Sequence, residues 1–385
     1  MPSNYQKDDP ILGYVDLDDA YITDQWLVDQ FVGNNLFTIG LNTNGQLGQN
    51  IITNRSSPVQ VGLLSTWNQV SASYHTVSVK TDGTIWTWGR NGNGQLGQPD
   101  IVHRSSPVQV GSLTNWKSAA GGWYHTAAVK TNGTLWSWGL NTYGQLGLND
   151  IAHRSSPVQV GSLTNWKLVT GGTYTAAAIK TNGTLWGWGD NRNGQIGTNN
   201  LTSYSSPIQI GLLTNWKLVA SGHYHTAAIK TDGTLWLWGR NNYGQLGIGD
   251  QVHRSSPIQI GSLTNWKQVA GGLYHTAAIK TDGTLWSWGR NTNGQLGLQD
   301  IAHRSSPVQV GSLTNWKQVA SGLDHTAALK TDGTLWSCGL NSNGQLGLND
   351  IAHRSSPVQV GSLTNWKQIA NGVNHTAVIT FTDIT

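Results

Sequence analysis

A unit of about 50 residues recurs seven times in this chain, and few folds tolerate such a register. The string Arg-Ser-Ser-Pro-[Val/Ile]-Gln begins at Arg55, Arg104, Arg154, Arg254, Arg304 and Arg354, with Tyr204 replacing the arginine once. The string Gly-Gln-[Leu/Ile]-Gly begins at Gly45, Gly94, Gly144, Gly194, Gly244, Gly294 and Gly344. The seven copies fill residues 36–385. A period of this length marks a solenoid, a propeller or an array, in which a unit buries its apolar residues only against its neighbours.

Each copy reads as four short strands. In one copy they fall at 166–170, 174–180, 184–189 and 207–210. The second and third are separated by Thr181-Asn182-Gly183, and every such turn has Asn-Gly or Asp-Gly, which predicts type I′ hairpins. Trp186 and Trp188 lie two apart and face one side of their strand. The ends of the chain predict a closed ring. The last copy stops after the strand holding Val378 and Ile379, without its Leu-Trp-Ser-Trp-Gly partner. The first copy opens on Leu36-Phe37-Thr38-Ile39-Gly40, which matches that missing strand. The expected fold class is therefore all-β, a seven-bladed propeller of four-stranded blades. It is closed by pairing an N-terminal strand with the C-terminal blade, and residues 1–35 form a short extension.

Composition excludes several other classes. Charged residues make up 11% of the 385 and Glu is absent, which argues against a long coiled coil. Cys338 is the only cysteine, so no intrachain disulfide exists. No apolar run reaches the length of a membrane span. The net charge of +4 hides an asymmetry, because residues 1–33 carry seven Asp against Lys7. The basic residues of the repeats are spread singly, whereas nucleic-acid binding usually clusters them. No nucleic-acid partner and no membrane insertion are expected.

The repeat unit Gly-x-Asn-x-x-Gly-Gln-Leu-Gly, then Pro-Val-Gln-Val, then Gly-x-x-His-Thr-Ala-Ala-[Ile/Val/Leu]-Lys-Thr-Asp-Gly-Thr-Leu-Trp-x-Trp-Gly resembles the regulator of chromosome condensation repeat, over about nine-tenths of the chain. The resemblance implies a seven-bladed β-propeller, commonly with the split-blade closure, and binding through the propeller faces. It does not imply one function. Members include an exchange factor for the small GTPase Ran, a plant ultraviolet-B photoreceptor and secreted bacterial β-lactamase inhibitors. The exchange factor uses an inserted wedge, for which the regular period leaves no room. The photoreceptor's Gly-Trp-Arg-His-Thr signature is approached once, at Gly122-Trp123-Tyr124-His125-Thr126.

Catalytic, metal and cofactor sites are not expected. The recurring His-Thr pairs at His75, His125, His225, His275, His325 and His375 read as structural, one per blade. The Asp-x-x-His-Arg runs, such as Asp100 to Arg104, read as loop caps. Cys338 replaces a blade tryptophan and reads as a buried substitution.

The copies differ in an informative way. In an antiparallel meander, the Thr-Asp-Gly-Thr and Leu-Thr-Asn-Trp turns share one rim, which is nearly constant. The loops before His-Thr and after Trp-Gly share the other, which varies. The candidate partner-binding residues on the variable rim are Trp123, Tyr143, Asp190, Arg192 and Asn199, together with Tyr204, His223, Arg240, Tyr243 and Arg290. Their aromatic, arginine and amide character suits a protein or glycan partner. The extension carries Tyr14, Leu17, Tyr21, Ile22, Trp26, Leu27 and Phe31, a set too apolar to stay in water. It is expected to dock, either on its own propeller or into other subunits of a larger assembly. The leading expectation is a non-enzymatic propeller anchored through residues 1–33 in a phage virion or tail, with a virion or extracellular location. The alternatives are a soluble intracellular regulator that binds a GTPase or enzyme, and a lectin-like glycan binder.

Overall fold

The structure, a computed structural model, describes residues 34–63 and 66–381. The anchoring residues expected between Tyr14 and Phe31 lie outside the described residues. Seven four-stranded antiparallel sheets form a propeller, as the repeat predicts. A representative blade comprises Trp166–Gly171, Thr175–Lys180, Leu185–Gly189 and Tyr204–Gln209. The first strand of each blade neighbours the first strand of the next, and Trp366–Asn371 returns to Trp67–Ala72, so these strands ring the axis. The last blade is composite. Leu36–Gly40 inserts between His375–Thr380 and Arg55–Gln60, with Leu36 opposite Ile379 and Gly40 opposite His375.

The hairpin turns differ from the type I′ prediction. A type I′ turn needs φ > 0 at both central residues. In Thr81-Asp82-Gly83 only the glycine is left-handed, at φ 75°. Gly83 N–H donates to Lys80 O at 3.0 Å, and Lys80 N–H donates to Thr84 O at 2.9 Å. The loop is thus three residues long, a turn followed by a left-handed glycine. The aspartate side chain explains the choice. Asp82 Oδ1 accepts from Thr84 N–H at 2.9 Å and from Thr84 Oγ1 at 2.6 Å, which draws the third residue into the loop. Thr84 Oγ1 in turn accepts from the Trp86 indole at 2.9 Å. Lys80 Nζ sits 3.7 Å from the centroid of that indole, a cation–π contact.

The core lies between blades rather than within them. In one cluster Ala127, Val129, Leu135 and Val160 of one blade meet Trp166, Val169, Ala178 and Trp188 of the next. Polar latches run through these interfaces. The indole Nε1–H of Trp88, Trp138, Trp188, Trp238 and Trp288 donates to a main-chain glutamine carbonyl of the preceding blade at 2.9–3.0 Å. The Oγ1 of Thr76, Thr126, Thr226, Thr276, Thr326 and Thr376 donates to the equivalent carbonyls at 2.8–3.1 Å. Five of these hydroxyls, all but that of Thr226, also meet the Nε2 of the preceding blade's histidine, as at His75 and Thr126 (2.7 Å) or His375 and Thr76 (3.0 Å). Since the hydroxyl proton is used on the carbonyl, Nε2 carries the ring proton and donates.

The belt has one break. Thr175 and Ala176 stand where the other blades have His and Thr. His125 therefore has no partner at either ring nitrogen, although it is fully buried. Cys338 is a smaller defect: its sulfur lies 3.8 Å from the Gln295 carbonyl that an indole would reach.

Two predictions follow from the belt. Burial, joined at some sites by neighbouring histidines, lowers the six imidazoles from the ordinary 6.5 to about 3 or 4. Between those values and 6.5 the unfolded chain binds more protons than the folded one, so stability rises with pH across that window and falls on acidification. At about pH 5 each neutral imidazole should cost about 2 kcal/mol relative to neutral pH. Denaturant midpoints should drop from neutral pH towards pH 5, above the range in which aspartates titrate; a flat profile there would contradict the assignment. The double substitution Thr175→His with Ala176→Thr should complete the belt. It should raise stability by about 1–3 kcal/mol in chemical unfolding, and a loss of stability would show that this interface is packed differently.

Candidate functional site

Main-chain geometry separates the two rims as expected. On the constant rim, Trp116 N–H donates to Gly83 O and Thr131 N–H to Asn115 O, which ties the two turns together. On the variable rim, Arg90 N–H meets Tyr74 O and Leu140 N–H meets Tyr124 O. The same rim carries a belt of inter-blade bonds around the axis, including Trp123 N–H to Gly172 O and Val373 N–H to Ser73 O.

Aromatic side chains form an arc over five blades of this rim. Tyr74 stacks on Tyr124 at 5.4 Å and Tyr124 on Tyr174 at 5.9 Å, while Tyr224 stacks on Tyr274 at 5.9 Å. Tyr143 and Tyr243 each tilt 5.0 Å from the tyrosine of the next blade, Tyr174 and Tyr274. Arginines lie against these rings. The Arg90 guanidinium is 5.3 and 5.2 Å from Tyr74 and Tyr124, and that of Arg240 is 5.3 and 5.1 Å from Tyr224 and Tyr274. Arg192 covers Tyr143 at 4.5 Å. Burial, then the neighbouring phenols, raises the pKa of Tyr124, Tyr174 and Tyr224, which keeps them protonated as donors.

The centre of the rim is capped by a pair from non-adjacent blades. Trp123 Nε1–H donates to His223 Nε2 at 3.1 Å, with ring centroids 4.3 Å apart. Burial, then His225 and His275, holds His223 well below its usual pKa, so it accepts as a neutral ring. The pair sits over a cavity of about 150 Å³ around the axis, lined by small polar positions such as Ser71, Ser73, Thr170 and Ser221.

The remaining sequence candidates are dispersed. Asp190 is buried and pairs with the exposed Arg192, whose Nε is 2.8 Å from Asp190 Oδ1. Arg290 lies 5.6 Å from Tyr243 and 3.5 Å from the Asp324 carboxylate. Asp324 occupies the position of the stacked tyrosines; burial raises its pKa, against the pull of Arg290 and of a 2.8 Å bond from Gln295. Asn199 is a turn residue at φ 60° whose N–H donates to Ser255 O of the next blade at 2.7 Å. Tyr204 stands apart from the arc. Its hydroxyl accepts from Asn200 Nδ2 at 2.9 Å, and it lines a groove between blades. That contact is the neutral counterpart of the caps elsewhere, in which Asp100 meets Arg104 at 2.5 Å and the Nδ1 of His103 accepts from Asn91 N–H at 3.1 Å. The stacked tyrosines are not marked out in the sequence, because they recur from blade to blade like the framework residues. Their position directly before the rim-facing end of the His-Thr strand was the available signal.

Comparison with known proteins decides the family. The regulator of chromosome condensation (RCC1) repeat matches residues 34–79, 82–129 and 132–179, and the RCC1-like domain matches residues 204–378. The chain belongs to the RCC1 repeat family. Solved structures with the same propeller include human WBSCR16, at 22% identity and TM-score 0.83 over 91% of this chain and 100% of that one. They also include Prp20p of Saccharomyces cerevisiae, described with its binding properties to Gsp1p and histones, at 19% identity and TM-score 0.82 over 92% and 93%. Yeast RCC1 (Prp20) bound to Kap60 matches at 18% identity and TM-score 0.84 over 99% and 97%. A search among curated protein sequences finds no match.

These matches correct two expectations. The virion or phage-tail role, with residues 1–33 held in a larger assembly, and the virion or extracellular location both give way to kinship with RCC1-type proteins of human and yeast. The physical reason is that both rested on composition. A Glu-free, weakly charged unit copied seven times makes a Glu-free, weakly charged chain in any compartment.

The cap yields a prediction of its own. Trp123→Phe removes the indole donor and should leave the propeller intact while raising the His223 pKa readable by NMR titration. An unchanged His223 titration would show that the pair does not control that ring.

Proposed function

We propose that this RCC1-repeat propeller is a non-enzymatic regulator that binds a protein partner, a small GTPase or another enzyme, on its variable rim. The observation that carries this reading is the arc of arginine-covered tyrosines running from Tyr74 to Tyr274, with Trp123 and His223 at its centre. Tyrosine, tryptophan and arginine are the residues that dominate protein–protein hot spots, since they bury large rigid surfaces and still offer hydrogen bonds. The arc is ordered before binding: each guanidinium rests on a ring, so little side-chain entropy remains to be lost. The partners named for Prp20p give the class to try first, a GTPase of the Gsp1p kind.

Titration calorimetry of the full chain against such a GTPase tests the reading. Combined alanine substitution at Trp123, Tyr143, Arg240 and Tyr243 should weaken binding by at least about tenfold and leave the unfolding midpoint nearly unchanged. Tyr204→Ala, off the arc, should bind as the unsubstituted chain does. Undiminished binding by the combined variant would remove the rim from the account, and failure of the unsubstituted chain to bind would remove the GTPase class.

A further inference from the structure

The opposite, constant rim carries features that recognition on the variable rim does not use. The Leu-Thr-Asn-Trp-Lys turns place Leu113, Leu163, Leu213, Leu263 and Leu313 at the surface, each 46–47% exposed. Four residues after each leucine stands an exposed lysine, Lys117, Lys167, Lys217, Lys267 and Lys317. Beneath the leucines, grooves open between successive blades. One of about 320 Å³ is lined by Leu113, Trp116, Trp136 and Pro157, and the next, of about 300 Å³, by Leu163, Trp166, Trp186 and Pro207. A lysine ring interleaved with apolar sockets calls for an occupant that is both acidic and apolar.

The ring is not uniform. Four of its hairpin turns carry an exposed aspartate, Asp82, Asp232, Asp282 and Asp332, each interacting with the lysine two residues before it. In the two remaining turns of the kind the residue is Asn132 or Asn182. Those two neighbouring blades carry no carboxylate in their own turns: Lys167 follows a turn bonded to both asparagine hairpins, and Lys117 follows one bonded to the Asn132 hairpin and the Asp82 hairpin, so the positive sector of the rim centres on Lys167.

The chain enters the fold at this same rim. Asn34 O accepts from Trp67 N–H at 3.3 Å, the place that Gly83 O takes towards Trp116 in the next blade. Asn35 O accepts from Thr380 N–H at 2.9 Å on the other side. Residues 1–33 thus join the propeller at a hairpin-turn position of the constant rim, with one blade, Trp67–Gln109, between that point and the blade of Lys117. They carry seven Asp and Lys7, with Tyr14, Leu17, Tyr21, Ile22, Trp26, Leu27 and Phe31 spaced among the acids. An extended chain of this length reaches up to about 110 Å, enough to cross two blades.

We propose that residues 1–33 dock in cis across the constant rim. Their apolar side chains enter the grooves below Leu113 and Leu163, and their aspartates face Lys117 and Lys167. The docked segment covers the rim opposite the partner-binding arc and leaves that arc free.

Spin labelling of the full chain tests this. Ala20→Cys introduces one reactive thiol, because Cys338 is buried with its thiol pushed up to about 12 and stays unlabelled. The nitroxide spectrum should show an immobilised component that persists on dilution. Asn132→Asp with Asn182→Asp copies the residue of the other turns, so the fold is kept, and it should abolish most of that component. Lys117→Glu with Lys167→Glu should do the same, as should salt at which the screening length falls to about 3 Å. A freely mobile label in the unsubstituted chain overturns the proposal. So does an immobilised component indifferent to both pairs of substitutions. A component that vanishes on dilution also overturns it, and assigns the segment to a second copy of the chain.

Discussion

The ring depends on one contact repeated around it: the main-chain glutamine carbonyl of the Gly-Gln-[Leu/Ile]-Gly loop, which the next blade approaches with a threonine hydroxyl at six of the seven interfaces and with a tryptophan indole at five. A net hydrogen bond is worth only about 1 kcal/mol, but a buried donor left alone costs more. The contact therefore fixes the angle at which blades meet as much as it holds them together. Around it lie the apolar clusters, which belong to pairs of blades and not to single ones. A blade removed from the ring would expose its tryptophans and strand its polar groups at once. That is why the last blade borrows Leu36–Gly40 from the start of the chain, and why Val373, His375 and Asn349 all bond across the closure to the first repeat.

The residues proposed to bind a partner sit where the copying is imperfect. The blade that lost its histidine and threonine, with Thr175 and Ala176 in their place, is flanked by Trp123 before it and His223 after it, which meet over the axis. The same blade carries the Asp190–Arg192 pair and the divergent loop ending at Tyr204. A weaker interface and a distinctive rim thus coincide in one part of the ring. The opposite rim shows the same principle on a smaller scale, since Asn132 and Asn182 interrupt a series of aspartates and create its positive sector.

Much of this was legible in the sequence, because the repeat makes each element visible seven times. Strand number, ring closure and the division into two rims follow from spacing and from the mismatched ends. The hairpin type was missed because Asp-Gly is shared by two-residue and three-residue loops, and the Asp82 to Thr84 side-chain bonds decide between them. The Trp123–His223 pair was not readable either: the two residues are a hundred positions apart and meet only because two blade intervals bring them to the axis. The stacked tyrosines were hidden by their own regularity. The location and virion role drawn from composition failed because duplication amplifies a local bias without adding information about surroundings.

Amide hydrogen exchange on the full chain tests the latch account most directly. If the carbonyl contacts and the histidine belt hold the blades, protection should be high and similar in five blades, including the composite one formed by Leu36–Gly40 and His375–Thr380. It should be lowest where the belt is broken, in Thr175–Lys180 and the facing strand His125–Lys130. Uniform protection around the ring, or earliest opening at the composite blade, would contradict it.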